Sequence, residues 1–257
     1  MTPNHRLRAR QRGNSTLGLL LLGATLGIGL IVAAALVSRS LERIKLAGDR
    51  ITVKGYAEEK VVSDAGTWRG SVVVRGRDLP SGSRDLEASA SRLQALLHTL
   101  AGDRATLAVG PINSRALYVL TDEGLQTTQV AGYELERSFE LTSKDVELIG
   151  QVAQQASALV SEGVAVNAQP PQYFYQDLNS IKVRLIGAAT RDAQLRAEQF
   201  AANSGVTVGA LRSASQGVFQ ITRPNSTETA DYGSYDTGTV EKIVKAVVTV
   251  EYAVERD

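Results

Sequence analysis

Val240–Val254, near the carboxyl end of the 257-residue chain, reads VEKIVKAVVTVEYAV. Val244, Ala246, Val248, Val250, Tyr252 and Val254 alternate with Lys245, Val247, Thr249, Glu251 and Ala253, the two-residue period of a strand with one buried face. Around Val247-Val248 both parities are apolar, so the middle of the strand is expected to be covered on both faces. A long strand rich in β-formers must pair along both edges or leave one as a template for aggregation. Either the fold inserts it centrally or a neighbouring subunit covers part of it. Just before it, Pro224–Thr239 (PNSTETADYGSYDTGT) is polar and rich in Gly, Ser and Thr. It reads as a mobile surface loop that could be shortened without loss of folding, because its composition offers little to bury.

Working back along the chain, strand and helix signals alternate without a long linker. Leu178 to Asn203 reads as the longest helix, stopped by Gly205, and short strands follow at Ala210–Ser213 and Val218–Thr222. Strands at Ile51–Ala57 and Thr67–Arg75 are closed by Leu79-Pro80-Ser81-Gly82. A helix fits Arg84–Leu100, where Leu86, Ala90, Leu93, Leu97 and Leu100 recur at helical spacing before Gly102. Strands at Thr106–Val109, Ile112–Leu120 and Gln129–Leu141 follow, the last two joined by a turn at Asp122-Glu123-Gly124. Thr142-Ser143-Lys144-Asp145 has the spacing of a capping box, opening an amphipathic helix through Val146, Ile149, Val152, Ala156 and Val160 that ends at Gly163. Short extended segments at Val164–Val166 and Gln172–Gln176 flank Pro170-Pro171. Helices interspersed with hairpins point to an α+β fold with mostly antiparallel sheets.

The other end of the chain has a different character. Leu17–Val37 (LGLLLLGATLGIGLIVAAALV) runs 21 residues without a charge. As a helix it would span about 31 Å, close to the hydrocarbon thickness of a bilayer. Ala33-Ala34-Ala35 would suit a signal peptidase, yet the run exceeds the roughly 7–15 residues of a signal-peptide core, which favours an uncleaved anchor. Arg6, Arg8, Arg10 and Arg12 precede it; Arg39, Arg43, Lys45 and Arg50 follow, so the positive-inside count is a tie. The short tail and the long second part favour a cytoplasmic tail (1–16) and a translocated domain (50–257), with 38–49 as a charged connector. Gly23 and Gly27 form G-x-x-x-G, and Gly29 with Ala33 repeats the small-residue spacing that lets a second membrane helix approach.

Composition narrows the chemistry. No cysteine excludes a disulfide scaffold, a thiolate metal site and a cysteine nucleophile, and two histidines, His5 and His98, leave little for a histidine metal centre. The net charge is +1, and removing the four arginines of the tail from the 28 basic residues leaves 24 against 27 acidic ones. That balance does not advertise a nucleic-acid binder. No P-loop, dinucleotide fingerprint, H-E-x-x-H or G-x-S-x-G pattern occurs. His98 lies off the leucine stripe of its helix and is expected to face solvent. Glu58-Glu59 and Asp122-Glu123 fall in expected turns, where solubility explains them as well as acid–base work does. Lys182, Arg184, Arg191 and Arg196 give the long helix a basic character that Asp192 and Glu198 dilute. Ser213-Ala214-Ser215-Gln216-Gly217 allows close backbone approach: a ligand or subunit contact on one reading, a bulge between two strands on the other.

Several ordered pieces carry a family resemblance: Val53-Lys54-Gly55, Asp64-Ala65-Gly66-Thr67-Trp68, the segment Pro171–Ile221 with Ala188–Thr190, Ala193 and Ala197, and Val248-Thr249-Val250-Glu251-Tyr252. Spread over about Ile51–Val254, they resemble the SIMPL-domain family, bacterial proteins that include periplasmic immunogenic antigens. The resemblance implies two small α/β sandwich modules, interleaved through the terminal strand 240–254 with a boundary near 163–176. It also implies export to the periplasm, ring-shaped homo-oligomers in some members, and a link to envelope or oxidative stress without an accepted activity. The expectation is therefore a non-catalytic protein of the cytoplasmic membrane, facing the periplasm through a single N-terminal helix. It would act by homo-oligomeric assembly and partner binding, without cofactor, metal or nucleic acid. A carboxylate-dependent hydrolase is the alternative. Without cysteine, and with one methionine, any part in oxidative stress would be indirect.

Overall fold

The computed structural model describes the backbone of residues 15–46 and 49–255 and the side chains of residues 23–38 and 49–255. Helix α1 (Ser15–Leu46) is followed by strands β1 (Arg50–Val62) and β2 (Ala65–Gly76), helix α2 (Leu79–Ala101), and the hairpin β3 (Ala105–Leu120) and β4 (Gln126–Ser143). Then come α3 (Val146–Ala158), the short strands β5 (Val166–Ala168) and β6 (Gln172–Phe174), and α4 (Leu178–Ser204). Strands β7 (Thr207–Gln216), β8 (Gln220–Thr222), β9 (Ser234–Tyr235) and β10 (Glu241–Glu255) complete the chain.

Two five-stranded sheets result. One has the order β1-β10-β8-β9 with β7 also on β10; the other has the order β3-β4-β2-β5 with β6 also on β2. The fold is α+β and rich in antiparallel pairs, the parallel β8–β9 pair being a short exception. The terminal strand lies between β1 and β8. The fold itself therefore satisfies both edges, and the need for a neighbouring subunit to cover this strand disappears.

The chain divides into two compact units, one of 54–196 with 215–249 and one of 1–53, 197–214 and 250–257. Within the larger, Trp68 and Val72 of β2 and Leu135, Phe139 and Leu141 of β4 pack against Leu86, Leu93 and Leu97 of α2 and Leu148, Ile149 and Val152 of α3. A second cluster joins Ile181 and Leu185 of α4 to Val61, Ile221, Val244 and Ala246. In the smaller unit, Arg50 pairs with Glu251 at 3.2 Å, and Val254 N–H donates to the Asp49 carbonyl at 3.1 Å.

Several local expectations are corrected. Residues 38–46, read as a connector, continue α1, since SRSLERIKL contains no glycine or proline to stop a helix. Leu79–Gly82 is the first turn of α2: Asp78 caps it by accepting from Ser81 N–H at 2.8 Å, and Pro80 sits where its missing N–H costs nothing. Residues 105–120 form one strand with a register shift between Val109 and Ile112. The cap of α3 is Asp145, accepting from Leu148 N–H at 3.1 Å, rather than Thr142. Glu58 and Glu59 lie within β1, not in a turn.

The N-terminal expectation needs separate treatment. Residues 17–22 of the apolar run lie outside the described side chains, and residues 1–14 outside the described structure. Among the described residues, no helix is long and apolar enough to cross a membrane. Gly23, Gly27, Gly29 and Ala33 are exposed, and a Cβ at any of the three glycines would meet nothing within 4 Å. The expected packing face is thus unused within this chain.

One close approach sets how α4 lies on β1. A Cβ on Gly55 would stand 1.9 Å from the Ala189 carbonyl oxygen and 2.7 Å from Ala193 N, both backbone atoms that cannot swing aside. Tyr56 N–H beside it donates to Asp192 Oδ2 at 2.8 Å, so a helix carboxylate caps a strand N–H. Gly55→Ala should destabilise the fold by at least about 1–3 kcal/mol, the cost of overpacking. Gly187→Ala, whose Cβ meets open space in the same helix, should stabilise by about 1 kcal/mol. Urea denaturation reads both, and equal effects would refute this packing.

Candidate functional site

The segment 224–239 differs most from its expectation. It is clamped to the protein by side chains that recognise its backbone. Lys242 of β10, 1% exposed, donates its ammonium to the carbonyls of Asp236 and Thr239 and lies 3.7 Å from Asp236 Oδ2. Lys245 Nζ donates to the Ser226 carbonyl at 2.7 Å. The Gln220 side chain grips Ala230 twice, donating to its carbonyl at 2.7 Å and accepting from its N–H at 3.3 Å. Tyr173 N–H donates to the Thr237 carbonyl and Asp236 N–H to that of Ile221, each at 2.8 Å. The Tyr235 ring stacks on Phe174 with centroids 6.3 Å apart. The loop is polar because it solvates a buried ammonium, not because it faces water throughout.

Two adjoining depressions result. The larger, about 580 Å³, is lined by Leu178 and Lys182 of α4, by Gln216 to Phe219 and Ile221, and by Tyr232 to Tyr235. Lys182 Nζ stands 5.5 Å from the centroid of the Phe219 ring, a cation–π contact. Tyr232, 99% exposed, stands at its mouth. The smaller, about 360 Å³, is lined by Ile221 to Arg223, Glu228 and Ser234 to Asp236. Thr222 Oγ1 and Ser234 Oγ are buried there without a hydrogen-bond partner among the described residues.

Of the sequence candidates, Gln216 and Gly217 line the larger groove, with Gly217 N–H donating to the Val247 carbonyl at 2.9 Å. Ser213 and Ser215 are exposed residues within β7, so the segment is strand rather than a bulge between two strands. His98 is exposed on α2. Sequence reasoning missed Lys242, Lys245, Gln220 and the loop tyrosines; a lysine at a buried position of an alternating strand was the available signal.

Several acids have partners. Glu59 pairs with Arg184 at 2.7 Å, Glu140 with Arg69 at 2.9 Å, and Glu134 with both Arg75 and Arg115. Burial and the Glu58 carboxylate, which accepts from the Tyr56 hydroxyl, push that phenol up to about 12. Asp192 is held below the usual carboxylate value by Tyr56 N–H and then Arg196, and Glu134 by Arg75 and Arg115 despite its burial. Among the described residues no cluster of three or more metal-ligating side chains occurs.

A second surface feature is the outer edge of β3. Among the described residues β3 pairs only with β4, so one side of a 16-residue strand presents unpaired backbone groups. Val109, Ile112, Tyr118, Val119 and Leu120 are exposed along it, as are Leu125 and Val130 across the hairpin.

The clamp has consequences for stability. Lys242→Met leaves two part-buried carbonyls without their donor and should cost about 1–3 kcal/mol in a urea titration; an unchanged midpoint would mean that the ammonium does not hold the loop. Asp236 titrates low in the fold: burial opposes its ionisation, but hydrogen bonds from Thr239 and Gly238 and the charge of Lys242 prevail. Its contribution is full above the unfolded value of about 3.9 and is lost as pH falls through the lower folded value. Asp236→Asn should therefore flatten the fall of Tm in acid.

Comparison with curated proteins finds no match. Similar solved structures include an amidase (hydantoinase/carbamoylase family) from Burkholderia phymatum, 15% identical over 48% of this chain and 30% of that one, with a TM-score of 0.30. Another from Burkholderia vietnamiensis is 13% identical over 53% of this chain and 33% of that one, with a TM-score of 0.26. The chain thus spans about a third of the length of either, and likenesses of this size carry no argument about its chemistry. The SIMPL family, described as a protein of unknown function (DUF541), matches residues 51–252. That stretch runs from β1 through nearly all of β10, and the chain belongs to the SIMPL family.

Proposed function

We propose that this is a non-catalytic protein of the cell envelope, anchored by α1 in the cytoplasmic membrane with its large domain facing the periplasm, and acting by homo-oligomeric assembly. The observation that carries the assembly reading is the free outer edge of β3, whose stretch from Ala116 to Leu120 is uncharged and exposes Tyr118, Val119 and Leu120, although Pro111, Arg115 and a register shift at 109–112 interrupt the first part of the strand. An uncharged exposed edge stretch of this kind can template pairing with another chain. The charge-free run Leu17–Val37 supports the anchor, as does the exposure of every described side chain from 23 to 38. A helix apolar all round finds its solvent in a protein core or in lipid. Tethering would raise the local concentration of ectodomains, and the glycine-rich face would let anchors approach.

Hydrolysis by paired carboxylates would need one carboxyl held protonated near neutral pH. The shifted carboxyls of Asp78, Glu134, Asp192 and Asp236 all move the opposite way, which favours acids acting in ion pairs and caps. With no thiol, a part in envelope or oxidative stress would be indirect.

Full-length protein in detergent should scatter light as an oligomer at micromolar concentration. The double variant Ile112→Lys/Val119→Lys, at two exposed edge positions, should shift it towards monomer with an unchanged melting curve. A monomeric wild type, or a variant as large as the wild type, would overturn assembly through this edge. Topology is read independently: protease added to spheroplasts should digest the large domain, and protection until lysis would reverse the orientation.

A further inference from the structure

The larger groove is preformed by the loop clamp, yet several of its lining groups take no part in that clamp. Lys182 is the one charged side chain lining it among the described residues, and no carboxylate lines it. Its ammonium rests over the Phe219 ring. Tyr232 contributes a ring that almost nothing in the protein covers. Gln216 adds an exposed amide, and Ser234 Oγ lacks a partner. We infer that this groove binds an acidic saccharide, a sugar ring bearing a carboxylate.

Three physical points select that class. The volume of about 580 Å³ can seat a small molecule, roughly 300–1,000 Å³ being usual for such sites, and the open form of the depression leaves one side of that molecule in solvent, as suits a hydroxyl-rich ligand. A cation lining a groove that no carboxylate lines favours an anionic ligand there, Glu228 and Asp236 lying in the adjoining depression, and its seat on an aromatic face fixes where that charge must lie. Exposed aromatic rings interspersed with an amide and a hydroxyl suit a ligand with both an apolar ring face and many hydroxyls, since Tyr offers an apolar body with a polar tip. A purely apolar ligand would leave Gln216 and Ser234 unsatisfied. The clamp keeps the groove open beforehand, so binding need not order the loop.

Equilibrium dialysis of the full-length protein in detergent tests the proposal with three probes: tetragalacturonate, maltotetraose as its uncharged counterpart, and tetraglutamate as a carboxylate chain without sugar rings. Tetragalacturonate should bind at least about tenfold tighter than either, a preference that shrinks as salt screens Lys182. Lys182→Gln should bring tetragalacturonate down to the level of maltotetraose, and Lys182→Arg should restore the difference. Tyr232→Ala, at a position with almost nothing to unpack, should weaken both sugars by about fivefold or more. The proposal is overturned if maltotetraose or tetraglutamate binds as tightly as tetragalacturonate, or if none binds at millimolar concentration. Wild-type affinity in both Lys182→Gln and Tyr232→Ala would overturn it equally. None of these readouts depends on the oligomeric state, so the edge of β3 and this groove stand or fall separately.

Discussion

The ammonium of Lys242 lies under the segment 236–239, with its side chain shielded from solvent, and burial pushes its pKa below the ordinary lysine value against the pull of Asp236. A buried charge is tolerable only when it is paired and its protons are accepted. The carbonyls of Asp236 and Thr239 and the Asp236 carboxylate supply that environment. The route of the chain from 224 to 239 follows from this need, and the groove follows from the route. Lys245 and Gln220 repeat the same device at Ser226 and Ala230, side chain to backbone, so a polar segment takes one shape without an apolar core of its own.

Placement of α4 is the complementary constraint. Gly55 admits the backbone of Ala189 and Ala193, and Asp192 ties the helix to the strand through Tyr56 N–H. Leu178 and Lys182, roughly two to four turns upstream on the same helix, are thereby carried to the groove wall. Packing of one glycine against a helix backbone and the position of a binding cation are thus a single mechanical matter.

The two sheets deal with edges differently. In the first, the strand most prone to aggregate is placed between β1 and β8, with Val244, Ala246, Val248, Val250 and Tyr252 buried; Val247, expected from the sequence to be covered as well, stays exposed. In the second, β3 is left at the rim, and its inner neighbours β4 and β2 carry cross-strand pairs such as Arg69–Glu140 and Arg75–Glu134. Those pairs occupy acids that might otherwise have been read as catalytic. The same accounting that removes β10 from suspicion as an interface points to β3.

The sequence by itself determined the family, the α+β class and most element positions. These rest on local periodicity and punctuation: the alternation in 240–254, the leucine spacing in 84–100, and the stops at Gly102, Gly163 and Gly205, all of which take positive φ. Only the tertiary structure decided what covers the terminal strand, which strand keeps a free edge, and what holds 224–239. Strand order joins residues almost two hundred positions apart, and a carbonyl's value as a lysine ligand does not depend on the side chain of its own residue. Composition therefore presented the loop as dispensable, although its backbone, which no residue type reveals, is what makes the buried Lys242 possible.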